Sequence, residues 1–280
     1  VLLATALALG AAGLHTTWNL LLKTAPAEDR DLTSWGLFVV GGLLVLPVAI
    51  LRGGPGQAAL PWLTASALIH LGYVSGLVSA YRHGDFSLAY PLARGSGAMV
   101  AAAGGAAVFG DRLPVAAWVA IAVVAGGLVS LVGRGVSTTA VRDAVVAGVC
   151  IGCYTLVDVH GARVATDTIS YGLLTTTGPA ITLSVLFLAR GRGPALRRAL
   201  RAQWWRWAIA GVCTATAYAM VLVATRHAEV GYVAMLRESS VVFGALVGWK
   251  VLGEDLGARR LRSSLVVLAG MLALIVARLG

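Results

Sequence analysis

Four ionisable side chains lie well inside apolar runs of this chain: Arg94, Asp158, Arg237 and Glu238. A guanidinium in hydrocarbon costs at least about 2.5–3.5 kcal/mol, so each of these groups needs a partner or a task. Their charges sum to zero, which is compatible with internal ion pairing. Arginine can also hold an anion with paired N–H donors. Helical spacing gathers Tyr90, Gly97 and Ala101 around Arg94, and Val233, Ser240 and Gly244 around Arg237. Small residues in front of each guanidinium leave room for a carboxylate or phosphate. The other reading is that each arginine locks a carboxylate of the protein itself, with Asp158 a candidate for one of them.

Other polar residues fall on the same kind of face. His15, Trp18 and Asn19 share one stripe of the first apolar run, and Tyr154 and Asp158 share one of the sixth. A lipid-facing helix would not carry His, Asn and Asp along one stripe, so these faces are expected to point inward. There they could line a cavity or form hydrogen bonds between helices, worth only about 0.6 kcal/mol each on average. His70 with Tyr73, and Thr214 with Tyr218, stand at matching points further along and could stack on a substrate or simply pack. The substrate-binding candidates are therefore Arg94, Tyr90, Arg237, His15, Trp18, Asn19, Tyr73, Tyr154 and Tyr218. Asp158 and Glu238 are the candidates for proton coupling, because an intramembrane carboxyl balanced between burial and a nearby guanidinium can be tuned to exchange a proton. Pro91, early in its run, either bends a helix beside these groups or is an ordinary first-turn proline.

Catalytic and metal chemistry find little support. There is no HExxH, no acidic DDxxD-like cluster and no GxSxG, and the histidines at 15, 70, 83, 160 and 227 are scattered. Cys150 and Cys153 have CxxC spacing, but inside an apolar helix they read as small packing residues. No catalytic residue, metal or cofactor is expected, and a membrane-embedded enzyme is the weaker reading.

The elements that must position these residues are membrane helices. Of 280 residues, 58% are hydrophobic and only 12% charged, where soluble domains carry about 25%. Thirty-five glycines suit helices packed closely in lipid. The net charge of +10 is not a nucleic-acid signal. Six arginines fall in A189-RGRGPALRRALRAQWWRW-207, beside Trp204, Trp205 and Trp207, which reads as a membrane-interface segment near anionic lipid. The start, V1-LLATALALGAAGLHTTW-18, lacks a basic leader and is long enough to span. Apolar runs predict ten spans, near 2–24, 32–51, 61–82, 86–109, 114–133, 142–163, 168–189, 204–226, 229–252 and 261–278.

The chain also repeats itself. R82-HGDFSLAYPLARGS-96 resembles R226-HAEVGYVAMLRES-239, and sixteen residues separate Arg94 from Gly110 and Arg237 from Gly253. Residues 1–134 and 141–280 are read as two five-helix units. A unit of five spans starts and ends on opposite faces, so its copy enters inverted, the architecture of many secondary transporters with a site near the midplane. Fourteen Lys and Arg in the connections after odd-numbered spans, against five after even-numbered ones and in the tail, would place both termini outside.

Tyr90-Pro-Leu-Ala-Arg94-Gly followed by Gly110-Asp-Arg-Leu113, and Leu236-Arg-Glu-Ser-Ser-Val-Val-Phe243 followed by Leu252-Gly-Glu-Asp255, resemble EamA-like members of the drug/metabolite transporter superfamily. The resemblance runs over nearly the whole chain. Two departures are that Pro91 has no proline partner in the second half and Glu238 no acid partner in the first. The resemblance implies ten helices around a cavity lined by the first, third, fourth, sixth, eighth and ninth, in a multi-pass protein of the cytoplasmic membrane with cytoplasmic termini. It implies export or uptake of a small metabolite by alternating access. The reading of this chain is a secondary transporter exporting a small metabolite, amino-acid-like and anionic or amphipathic, with protons as a candidate coupling ion and membrane lipid as the surroundings. A lipid-carrier flippase on the same scaffold is the alternative.

Overall fold

The computed structural model describes residues 2–109, 115–132, 136–224, 227, 237, 239–254 and 257–279, and among these residues it is helical with no strand. In chain order the helices are α1 (Leu2–Lys23), α2 (Arg30–Leu51), α3 (Leu60–His83), α4 (Phe86–Phe109), α5 (Val115–Leu131), α6 (Thr138–Val164), α7 (Thr168–Ala189), α8 (Gly193–Ala224), α9 (Ser240–Lys250) and α10 (Gly257–Leu279). Four helical segments are long and apolar enough to cross a membrane among the described residues: Ala27–Leu51, Gln57–His83, Thr138–Val164 and Thr168–Ala189. The Gly110–Leu113 turn, Arg134, Val233, Glu238 and Asp255 lie outside the described residues.

Local chemistry explains where several helices start. Ser137 accepts a hydrogen bond from the Ala140 amide and caps α6, and the Asp167 carboxylate accepts one from Ser170 and caps α7. Pro61 occupies the first turn of α3, where its missing N–H has no partner to lose. The largest departure from the hydropathy reading is α8, which begins at Gly193 instead of near 204. Its first turns contain most of the Arg-rich segment, read from the sequence as a connection. The run A195-LRRALRAQ-203 is rich in good helix formers, so arginine count lowers hydropathy there without disfavouring helix.

Small residues fill some helix seams while many large apolar residues face outward. Along α1 the alanines 4, 8, 11 and 12 are fully buried, whereas Leu43, Ile50, Val129, Val185 and Leu188 stand exposed on other helices. Small side chains at such a seam allow backbones to approach, and the large exposed ones suit contact with acyl chains. At Gly148 of α6 a Cβ would sit 2.7 Å from the Ala93 carbonyl oxygen and 3.0 Å from the Gly97 nitrogen of α4, so only glycine permits this crossing. α1 runs against α8, α3 and α4 against α6, α5 against α10, α2 against α7 and α8, α3 against α7, and α9 against α4 and α1. Sparse polar ties cross these seams: Trp35 donates to Ser184 at 2.7 Å, Ser130 to Ser263 at 2.7 Å, and Thr16 to the Ser240 carbonyl at 3.4 Å.

Candidate functional site

Between the helices lies a cavity of about 400 Å³. It falls within the roughly 300–1,000 Å³ of small-molecule sites. Arg94, Arg237, His15, Trp18, Tyr73, Tyr154, Asp158 and Tyr218 all line it, as do His70 and Thr214. Tyr90 and Asn19 line a second pocket of about 20 Å³, which shares His15, Tyr73, Arg94 and Tyr154 with the first. Glu238 lies outside the described residues.

Each side chain is brought here by its helix. On α1, His15 and Trp18 are one turn apart, and the Trp18 indole N–H donates to His15 Nδ1 at 3.2 Å with the rings edge to face. On α3, His70 and Tyr73 share the inner face, and His70 is stacked on Tyr154 of α6 with centroids 4.1 Å apart. Phe38 and Tyr73 meet the same imidazole edge-on at 6.0 and 5.8 Å. Arg94 on α4 is 9% exposed, so its guanidinium is held in the interior. His15 lies within electrostatic reach of both Arg94 and Arg237. Asp158, one helical turn and about 6 Å along α6 from Tyr154, accepts a hydrogen bond from the Tyr171 hydroxyl at 3.0 Å. Tyr218 is within reach of Asp158 and Arg237 together.

Below the arginines the bundle is filled. Tyr81, Phe86 and Tyr90 are each 1% exposed or less, and Tyr90 stacks on Phe86 at 5.1 Å. The Tyr81 hydroxyl donates to Asn19 Oδ1 at 2.7 Å, so the Asn19 amide is committed to this layer as well as to the small pocket. Lys23 donates to the Tyr81 and Gly84 carbonyls and Arg30 to the Tyr81 carbonyl, and Arg206 reaches the end of α1 through the Leu21 carbonyl and Thr24. Glu254 accepts from the Phe86 and Ser87 amides at the start of α4. In the other direction the cavity extends to Ala162 at the end of α6 and Thr168 at the start of α7. The chamber is therefore one-sided: sealed toward Lys23 and Glu254, and reaching toward the α6–α7 connection.

That connection carries an ion pair outside the helices. Arg52 Nε and a terminal guanidinium nitrogen contact the two Asp167 carboxylate oxygens at 2.8 and 2.9 Å. The Arg52 guanidinium, and after it the Ser170 hydroxyl, hold the Asp167 carboxyl well below the usual carboxylate range.

Two helices line the cavity beyond those implied by the resemblance. Leu37 and Phe38 come from α2, and Tyr171, Thr175 and Thr176 from α7. The run Y171-GLLTTT-177 was the available signal, with three threonines and a tyrosine in an otherwise apolar helix. Cys150 and Cys153 are free thiols, and among the described residues no group of three His, Cys, Asp or Glu is arranged to hold a metal.

None of the curated proteins compared matches the sequence. Solved structures do share the fold: one crystal structure superposes with a TM-score of 0.64 over 96% of this chain and 95% of its own, at 16% identity. Residues 142–276 match the model of the EamA-like transporter family. With the chain's apolar helices, that match identifies residues 142–276 as a unit of the EamA-like transporter family, within the drug/metabolite transporter superfamily, in a multi-pass membrane protein.

Proposed function

We propose that the protein is a secondary transporter that exports a small amino-acid-like metabolite across the cytoplasmic membrane by alternating access. The observation that carries this reading is a single cavity lined by Arg94, Arg237 and His15 together with Asp158 and a set of tyrosines. Such a site offers N–H donors to a carboxylate, a carboxylate to an ammonium, and aromatic faces to the apolar part between them. Desolvation makes each of those contacts stronger and makes a ligand lacking one of them costly to bind.

The architecture in this reading is ten spans in two inverted five-helix repeats, residues 1–134 and 141–280. The pattern of helix neighbours supports it. Exchanging the halves turns the α1–α8 pairing into the α6–α3 pairing and α2–α8 into α7–α3, and maps α5–α10, α2–α7 and α4–α9 onto themselves. Substrate then sits between the repeats, where rocking of one against the other opens each side in turn. The seal at Lys23, Tyr81 and Glu254, set against the chamber's reach toward Thr168, corresponds to one of the two end states.

In this mechanism Arg94 and Arg237 hold the substrate's anionic group and Asp158 carries the coupled proton, with Glu238 as a further candidate. Tyr73, Tyr154, Tyr218 and Trp18 enclose the body of the substrate, and Tyr90 and Asn19 support the arginine side from the smaller pocket. Purified protein in proteoliposomes, screened for counterflow of labelled metabolites, tests the reading. Saturable flux of a zwitterion, with no comparable flux of neutral solutes of the same size, is expected. A folded, correctly inserted protein that moves no member of a broad zwitterion and acid panel sinks it.

A further inference from the structure

The two histidines of the cavity carry their ring protons on different nitrogens. An indole N–H can only donate, so the Trp18 bond to His15 Nδ1 requires a lone pair there, and the neutral ring then carries its hydrogen on Nε2. A carbonyl can only accept, so the 2.8 Å contact of His70 Nδ1 with the Ser66 carbonyl requires the hydrogen on Nδ1, which leaves a lone pair at Nε2 of the neutral ring. Both rings line the 400 Å³ cavity, and in each case Nε2 is the nitrogen these contacts leave over.

We propose that His15 and His70 set the polarity in which a substrate binds: His15 Nε2–H donates to a carboxylate on the Arg94 and Arg237 side, and His70 Nε2 accepts an N–H from the substrate's ammonium group. The inference rests on the transporter reading above and deepens it from an amino-acid-like metabolite to one that must carry an N–H donor as well as an acid. An ammonium has three donors to place. The Asp158 carboxylate takes one and His70 a second, while Tyr154, stacked on His70, fixes the imidazole plane between them. The edge-on contacts of Phe38 and Tyr73 hold the same ring from the other directions, so its lone pair has one orientation to offer. An acid without the amine would leave that acceptor buried and unsatisfied, which is the arrangement that discriminates most strongly against an analogue. The sequence signal for His70 is modest, because a lone histidine on an inner helix face does not disclose its tautomer.

Two readouts test this. The first is the ratio of kcat/KM for an α-amino acid to that for the same acid lacking the amine, measured in proteoliposomes for the wild type, His70→Phe and His15→Phe. Phenylalanine keeps the stacking on Tyr154 and removes the nitrogen. His70→Phe is expected to cut the ratio about tenfold, the worth of a hydrogen bond to a charged group, and His15→Phe to weaken both acids while leaving the ratio near its wild-type value. His70→Gln, which restores an acceptor, is expected to recover part of the ratio. An unchanged ratio in His70→Phe overturns the inference while the transporter reading stands. The second readout is the imidazole ¹⁵N shifts of labelled wild-type protein, which report the tautomers without any transport. Nε2–H for His15 and Nδ1–H for His70 are expected, and the same tautomer at both positions overturns the inference by itself. Absence of flux in the wild type for both compounds and for every other member of the zwitterion and acid panel removes the transporter reading, and this inference with it.

Discussion

The Glu254 carboxylate accepts hydrogen bonds from two successive backbone amides, Phe86 at 2.6 Å and Ser87 at 2.8 Å, across 168 and 167 residues of sequence. It caps the first turn of α4 from the opposite end of the chain, where the helix dipole and two unsatisfied N–H groups favour an anion. Gly253, with φ of +65°, turns the chain back after α9 and presents the next residue to α4. Loss of such a cap costs about 0.5–2 kcal/mol. Glu254→Ala is therefore expected to lower the thermal stability of the detergent-solubilised protein by that amount. It is also expected to loosen the sealed face, so that a single cysteine placed at Ser87 in a background free of Cys150, Cys153 and Cys213 reacts faster with a water-soluble maleimide. Unchanged labelling together with unchanged stability would reduce Glu254 to a surface contact.

Arg94 is 9% exposed in the wall of both pockets, with Tyr90 on the smaller of the two. A carboxylate held by its paired N–H donors gains charge-assisted bonds of about 1.5–3 kcal/mol, or roughly ten- to a hundredfold in affinity. Arg94→Ala is expected to abolish measurable counterflow while the protein still inserts and folds. Arg94→Lys keeps the charge without the planar fork and is expected to retain only a small part of the activity. Wild-type flux in Arg94→Ala would assign this arginine to packing alone.

The arginines and Asp158 could be picked out in the sequence because a charge inside an apolar run is costly and therefore rare. Tyr154 followed from sharing a helical face with Asp158, Trp18 from sharing one with His15 and Asn19, and Tyr73 and Tyr218 from their matching points in the repeat beside His70 and Thr214. Tyr171, Thr175 and Thr176 did not, since hydroxyl side chains are tolerated on any face of a membrane helix and hydropathy assigns them none. The start of α8 at Gly193 was hidden for a related reason: arginine lowers mean hydropathy but favours helix. Glu254 was visible as part of a repeated acidic turn, yet its partners Phe86 and Ser87 lie so far off in the chain that no local pattern could name them. The tautomers of His15 and His70 depend on Trp18 and on a backbone carbonyl, and only coordinates place those at hydrogen-bond distance.

Arg52 and Asp167 form their ion pair at the end of the chamber opposite Glu254, outside the helices they join. Because Arg52 and Ser170 hold the Asp167 carboxyl below its ordinary value, the pair contributes its full stability above about pH 4, the unfolded value for aspartate. That contribution is lost as pH falls below it toward the lower folded value, where the carboxylate finally protonates. Arg52→Gln is thus expected to lower the melting temperature slightly at pH 7, with the difference from wild type shrinking below about pH 4. The pair is partly exposed, so high salt is expected to shrink the difference as well. A gap that widens on acidification would contradict this sign.

Asp158 bears the test of coupling. It lies in the cavity with Tyr171 as its hydrogen-bond donor and Tyr218 close by, while Arg94 and Arg237 stand in the same chamber. A carboxyl in this position can bind a proton when the site is empty and release it when an ammonium arrives, which ties the direction of one to the other. Asp158→Asn cannot exchange that proton. It is expected to stop accumulation driven by an imposed pH gradient, while the exchange of substrate for substrate, which moves no net proton, continues at a reduced rate. Tyr171→Phe removes only the donor and is expected to shift the pH at which gradient-driven flux is half-maximal. Gradient-driven accumulation at the wild-type rate in Asp158→Asn would show that the coupled proton travels elsewhere.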